Sequence, residues 1–276
     1  MYVGDISDTS LLRKASAGVT AIVHAAGLAH VFGPDAQDSA LFNAVNETGT
    51  GNVVDAALES GVPHVVLVSS ISVYGSYQGA KCDETVPCNP HGPYAISKWR
   101  GECLATERMA KGRGSLTILR FATIYGEGDR GNVAKLIRAL DRGHFVTLGS
   151  GQNQKSLIYK EDAARACFCA VERPVKGTEV FNVSAQPATM REIVAAICQA
   201  LGRSAPRYGV PLFLVKAAAA MARRMGDPRQ LGEQLEKFLH DDVYDGARFE
   251  NAFGYIPAIP LSEGIRREVD FLRALR

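Results

Sequence analysis

Tyr94 and Lys98 lie four residues apart in Pro93-Tyr94-Ala95-Ile96-Ser97-Lys98, which on a helix puts a phenol and an ammonium on one face, about a turn apart. An ammonium near a phenol stabilises the phenolate and draws its pKa of about 10 toward working pH, so Tyr94 is a candidate general acid/base for an alcohol or ketone. The spacing alone is weak, because any amphipathic helix carries it by chance. It gains weight from Val65-Val66-Leu67-Val68-Ser69-Ser70, an apolar run that ends in two hydroxyls. Ligands in open α/β sheets sit beyond the carboxyl ends of strands, so these serines are expected where Tyr94 and Lys98 converge.

The elements that must position these groups follow from hydrophobic pattern. Short apolar runs at Thr20–His24, Val65–Val68, Leu116–Phe121 and Val180–Val183 alternate with helical segments at 9–17, 42–60, 94–110 and 161–172. That rhythm predicts an α/β fold with a doubly wound parallel sheet. The opening Tyr2-Val3-Gly4-Asp5 reads as the tail of a further strand, and Gly33-Pro34-Asp35 as a loop. Beyond Met190 the chain is mostly helical. The predicted organisation is a sheet domain over residues 1–185, with substrate loops near 126–155, and a helical cap over 186–276.

Bulk properties exclude several classes. The 276 residues suffice for a buried core, and a net charge of +2 with scattered basic residues suggests neither a nucleic-acid nor a membrane surface. The longest apolar stretch, Val210 to Ala222, is interrupted by Pro211 and Lys216 and is too short to span a bilayer, so it reads as an alanine-rich helix packed against the body. No secretory signal is visible at the start, which favours a cytoplasmic location. The six cysteines show no paired spacing and read as reduced thiols, with no metal site.

Six segments together resemble the extended short-chain dehydrogenase/reductases, in the nucleotide-sugar epimerase/dehydratase branch that includes UDP-glucose 4-epimerase-like enzymes. They are Gly4-Asp5-Ile6, His24-Ala25-Ala26-Gly27, Val45-Asn46-x-x-Gly49-Thr50, Ser69-Ser70-Ile71-Ser72-Val73-Tyr74-Gly75, Pro93-Tyr94-x3-Lys98 and Leu119-Arg120-x4-Tyr125-Gly126. The resemblance implies a Rossmann-like fold and NAD as cofactor, with NADP left open. It implies that Asp5 and Ile6 hold the adenine, that Ala25, Ala26 and Gly27 line the dinucleotide with Ser69 nearby, and that Lys98 binds the nicotinamide ribose. Ser70 would bond the sugar oxygen, Tyr94 would move its proton, and Asn46 would support the active-site helix and a proton-relay water. Arg120, Thr123, Asn132 and Lys155 fall where relatives frame the nucleotide diphosphate, Thr123 standing where many have Asn. A homodimer through helices 42–60 and 94–110, and a place in polysaccharide biosynthesis, are further implications.

Dehydratases of this branch place an acidic pair directly after the catalytic hydroxyl; here those positions are Ile71 and Ser72. That leaves a 4-epimerase of a UDP-sugar, a 4-keto-sugar reductase, or a nucleotide-binding relative without catalysis. The family's Gly-rich pyrophosphate turn is not found ahead of Gly4. The expectation is therefore an amino-terminally truncated chain with impaired cofactor affinity, and a gap of roughly 10 Å in the sheet where two strands are missing. Gly126-Glu127-Gly128-Asp129-Arg130-Gly131 fits G-x-G-x-x-G literally, but acidic side chains at 127 and 129 disfavour a pyrophosphate.

Overall fold

The computed structural model describes residues 1–29, 38–77, 81–206 and 240–275, with scattered positions between 209 and 224. The loop expected at Gly33-Pro34-Asp35 lies outside them. The chain runs through α1 (Thr9–Ser16), β1 (Ile22–His24), α2 (Ser39–Phe42), a π-helical turn (Asn43–Thr48), α3 (Gly49–Glu59), β2 (His64–Ser70), a 3-10 turn (Ile71–Tyr74), α4 (Pro93–Met109) and β3 (Ser115–Phe121). It continues through β4 (Thr123–Tyr125), α5 (Asn132–Asp141), β5 (Thr147–Leu148), β6 (Gln154–Lys155), β7 (Leu157–Tyr159), α6 (Lys160–Glu172), β8 (Thr178–Val183), β9 (Ala188–Thr189), α7 (Met190–Leu201), β10 (Gly209–Val210), α8 (Ala247–Phe253) and α9 (Leu261–Ala274).

The central sheet is parallel, in the order β1-β2-β3-β8. Its strands alternate faces with period two. Val65, Leu67, Leu116 and Ile118 pack with Val54 and Ala57 of α3 and Ala105 and Met109 of α4. Val66, Leu119, Phe121 and Phe181 face the other way, onto Ala163, Ala166 and Ala170 of α6. Each buried aliphatic side chain contributes about 1.5–3 kcal/mol, so helices on both faces are what these two-sided apolar strands require. This is the predicted doubly wound, Rossmann-like α/β fold.

Two expectations at the sheet's edge are corrected. Residues 1–5 form no strand, and the four described strands adjoin one another without a gap. β1 is the outer strand, with Val23 42% exposed. Two residues bracket the reason: Gly4 and Asp5 lead directly into the Asp8 cap of α1, whose carboxylate accepts from Leu11 N at 2.9 Å, so the opening segment is spent on a helix start.

A second core joins β4, α5 and β7 to α7 and α9 through Tyr125, Val133, Ile137, Tyr159, Ile193, Ile197, Ile265 and Val269, and so draws on both sides of residue 185. The alanine-rich helix expected to pack on the body does not do so at its described positions: Phe213, Leu214 and Met221 are exposed. Among the described residues no helix is long and apolar enough to cross a membrane. All six cysteines are free.

Candidate active site

Three chain segments meet at the carboxyl end of β2. Pro93 occupies the first turn of α4 behind Gly92 at φ 82°, a start that suits proline's missing N–H and places Tyr94 at the helix entrance. One turn on, Lys98 is 8% exposed and its Nζ donates to the Val68 carbonyl at 2.6 Å, two residues before Ser70. The Ser70 hydroxyl, which accepts from Ser72 N at 3.2 Å, lies near enough to the Tyr94 phenol to bear on its titration. From the third side comes Gly27, just beyond β1: a Cβ there would lie 3.2 Å from Asn46 Oδ1 and 3.9 Å from Lys98 Nζ. Ser70, Tyr94, Lys98, Asn46 and Gly27 are thus brought together, from positions up to 71 residues apart.

The electrostatics differ from expectation in one respect. Burial lowers the Lys98 ammonium to about 8, with the Glu102 carboxylate opposing. Burial also lifts the Tyr94 phenol above its ordinary value, the Ser70 hydroxyl pulling the other way. The expected lowering of Tyr94 is therefore not found, because desolvation outweighs the pull of the Ser70 hydroxyl.

Asn46 is hydrogen-bonded to α4. It is 1% exposed; its Oδ1 accepts from Leu28 N at 2.8 Å, and its Nδ2 donates to Leu28 O at 2.8 Å and Ser97 Oγ at 3.0 Å. Ser97 in turn donates to the Tyr94 carbonyl at 2.8 Å. Asn46 sits within the π-helical turn, a distortion that is rare and concentrates at functional positions. Helix α4 crosses this turn so closely that a Cβ on Gly101 would collide with the Asn46 carbonyl oxygen. Gly101→Ala is therefore expected to cost about 1–3 kcal/mol in urea unfolding and to lower turnover as well, since α4 must shift; wild-type stability would show that the two helices are not in this contact.

Arg120 and Ser69 are corrected. Arg120 is 4% exposed and forms a bidentate pair with Glu102, its Nη2 at 2.7 Å from Oε2. Its Nη1 donates to Tyr74 Oη at 2.9 Å, and Tyr74 donates to Asn182 at 2.7 Å. The Ser69 hydroxyl donates to Glu102 Oε1 at 2.5 Å. These two residues brace the floor of the site, and neither is presented to a substrate or cofactor. β3 points Arg120 to the α4 face, and Glu102 follows Lys98 by one helical turn. That i, i+4 spacing was the available signal for Glu102. Ser97, Thr50 and His24 also contribute and carried no comparable signal.

On the cofactor side, Ala25, Ala26 and Gly27 are exposed and form a ledge free of bulk beside Lys98. Such a ledge fits the nicotinamide half of a dinucleotide. Asp5 is exposed and accepts from Ser7 N at 2.8 Å; the Ile6 carbonyl accepts from Asn52 Nδ2 at 3.1 Å, and the Ile6 side chain lies against Gly49. Both Ile6 contacts fall at the start of α3.

On the other side, Thr123 opens β4 half-buried and Asn132 opens α5 exposed. Lys155 donates to the His240 carbonyl at 2.8 Å and to Asp242 at 2.5 Å, so a phosphate role for it requires that pair to open. In the Gly126–Gly131 loop, Asp129 accepts from Gly131 N at 2.6 Å and Ala134 N at 3.2 Å, putting a carboxylate where a pyrophosphate would need the helix start. Glu268, fully buried on α9, ties down this loop by accepting from Gly126 N at 3.1 Å, while its Oε1 has no partner.

Burial raises the Glu268 carboxyl to about 8, Asp129 and Glu127 adding to the rise. Between the ordinary carboxyl value of 4.5 and about 8 the folded chain holds a proton that the unfolded chain releases. Stability is then lost as pH rises through that window. Thermal melts across it should show this decline, and Glu268→Gln should flatten it; an unchanged slope in the variant would assign the decline elsewhere.

With the geometry in place, comparison with known proteins gives the class. The chain belongs to the NAD dependent epimerase/dehydratase family, whose sequence profile matches residues 1–184. It is accordingly an NAD-dependent enzyme of that family. It is similar to N-acetyl-alpha-D-glucosaminyl-diphospho-ditrans,octacis-undecaprenol 4-epimerase of Escherichia coli O157:H7, 29% identical over 98% of this chain and 82% of the relative. It is also similar to UDP-glucose 4-epimerase of Vibrio cholerae, 26% identical over 99% of this chain and 83% of that protein. The fold matches UDP-glucuronic acid 4-epimerase from Bacillus cereus in complex with NAD at a TM-score of 0.77, with 21% identity over 99% of this chain and 80% of the other.

Proposed function

We propose that this chain is a 4-epimerase acting on a diphosphate-linked sugar, a nucleotide sugar in the first instance, with Tyr94 as acid/base. The observation that carries the reading is the meeting of Ser70, Tyr94 and Lys98 beside the Gly27 ledge, with no acid at the two positions after Ser70. Ile71 is partly buried and the Ser72 hydroxyl is buried without a partner, so neither can protonate a leaving hydroxyl as dehydration demands. NAD, when bound, accepts and returns a hydride. Ser70 donates to or accepts from the sugar oxygen. Tyr94 takes the hydroxyl proton as the hydride departs and gives it back after the ketone has turned its other face. Lys98, whose ammonium donates to the Val68 carbonyl beside Ser70, meets the ribose on the Ala25–Gly27 ledge in this reading. Asn132 and Thr123 face the diphosphate in this reading.

Similarity to two 4-epimerases supports the reaction type. Incubation with NAD and UDP-glucose or UDP-N-acetylglucosamine tests it. Formation of the 4-epimer without added reductant is expected; no epimer from either sugar, with stoichiometric NADH consumption on a 4-keto nucleotide sugar, would replace this reading with a 4-keto-sugar reductase. A homodimer through α3 and α4 belongs to the same reading, and sedimentation velocity checks it.

A further inference from the structure

We propose that His24 is a positioning residue for the acid/base pair: through Thr50 it fixes the carbonyl of the π-helical turn on which the Tyr94–Lys98 helix is seated. This rests on the site reading above but not on the identity of the sugar. His24 ends β1, is 4% exposed, and has its Nε2 3.0 Å from Thr50 Oγ1. The Thr50 hydroxyl lies 2.7 Å from the Asn46 carbonyl. A carbonyl only accepts, so the single hydroxyl proton goes to Asn46, and Thr50 Oγ1 must accept from His24. The imidazole is thereby fixed as the Nε2–H tautomer. Burial first, and then the Lys98 charge, hold its pKa at about 4, so it stays neutral in the working range.

Asn46 is consequently gripped at both ends. Its side chain holds Leu28 and Ser97, and its carbonyl receives Thr50 at the point where Gly101 lets α4 approach. β1 pairs only with β2 among the described strands, and its end carries the Ala25–Gly27 ledge. The His24–Thr50 bond ties the near end of this ledge to α3, as the Asn46–Leu28 bonds tie its far end, and together they set Gly27 against Lys98. A histidine that merely filled space would be replaced equally well by leucine. One that donates a proton would be replaced by glutamine, whose amide reaches a similar place.

The test compares His24→Leu, His24→Gln, Thr50→Val and the His24→Leu/Thr50→Val double variant, after thermal melts confirm folding. With NAD and UDP-glucose, kcat should fall about 10- to 100-fold in the Leu and Val variants with KM nearly unchanged, since displacement of a catalytic group by about 1 Å has effects of that order. His24→Gln should stay within about threefold of wild type, and the double variant should be no worse than the poorer single one, as residues in one network are non-additive. A second readout needs no turnover: ¹⁵N spectra should show the Nε2–H tautomer, and exchange of the Asn46 side-chain amide should quicken at least about tenfold in the Leu and Val variants but not in Gln. Equal behaviour of Gln and Leu, additive losses, or unchanged exchange in His24→Leu would each overturn the proposal. If UDP-glucose is not turned over, the functional reading fails while the exchange experiment still decides the role of His24.

Discussion

Tyr94→Phe is expected to lower turnover about 10²–10⁴-fold, the range spanned by positioned general acid/base groups. The substitution removes one hydroxyl and leaves the ring, whose edge-on contact with Phe42 at 6.3 Å between centroids is retained. Folding and NAD binding should therefore stay close to wild type, and the loss should fall on kcat. Steady-state kinetics beside a nicotinamide fluorescence titration separates the two. A loss below about tenfold would move the proton transfer to another group. Lys98→Met should act on both quantities, because Lys98 adjoins the cofactor ledge as well as the phenol in this account.

The second large effect is on stability. Arg120→Met or Glu102→Gln alone leaves a buried charge without its partner, a change that costs about 3–5 kcal/mol. Here the loss extends further, because Ser69 and Tyr74 share the same carboxylate and guanidinium. The double variant should recover much of the loss, since removing both charges removes the desolvation penalty too. Urea unfolding measures both, and the double variant keeps the comparison available if a single variant does not fold. KM for the sugar should be unaffected in whatever remains folded. A stable Arg120→Met protein with a raised KM would return Arg120 to the substrate.

Much of the fold was legible in the sequence because two-sided apolar strands leave few alternatives: Val65–Val68 and Leu116–Phe121 must be covered on both faces, and the helices between them supply the cover. Tyr94 and Lys98 were legible because their relation is local, one turn of one helix. Arg120 was not. The resemblance implied the diphosphate for it, and its partner sits 18 residues earlier on a different element, paired only once β3 packs against α4. The sheet's edge was misjudged for a similar reason, since Tyr2-Val3-Gly4 has strand-like residues but pairs with none of the described strands. The π-helical turn left no mark beyond Asn46 and Thr50 at helical spacing. What packs on it, Gly101 of α4 and Leu28 on the Asn46 amide, lies elsewhere in the chain, which local periodicity cannot contain.

Central to the account is one sugar, held in one place, that gives up and regains its hydride while Tyr94 takes and returns the proton. The most direct measurement uses UDP-glucose deuterated at C4, incubated with the chain and NAD and no added reductant, and followed by NMR. The 4-epimer is expected to accumulate with deuterium still at C4, and Tyr94→Phe to suppress its formation. Failure to form the epimer, or an epimer whose deuterium has been replaced by solvent hydrogen, would contradict it.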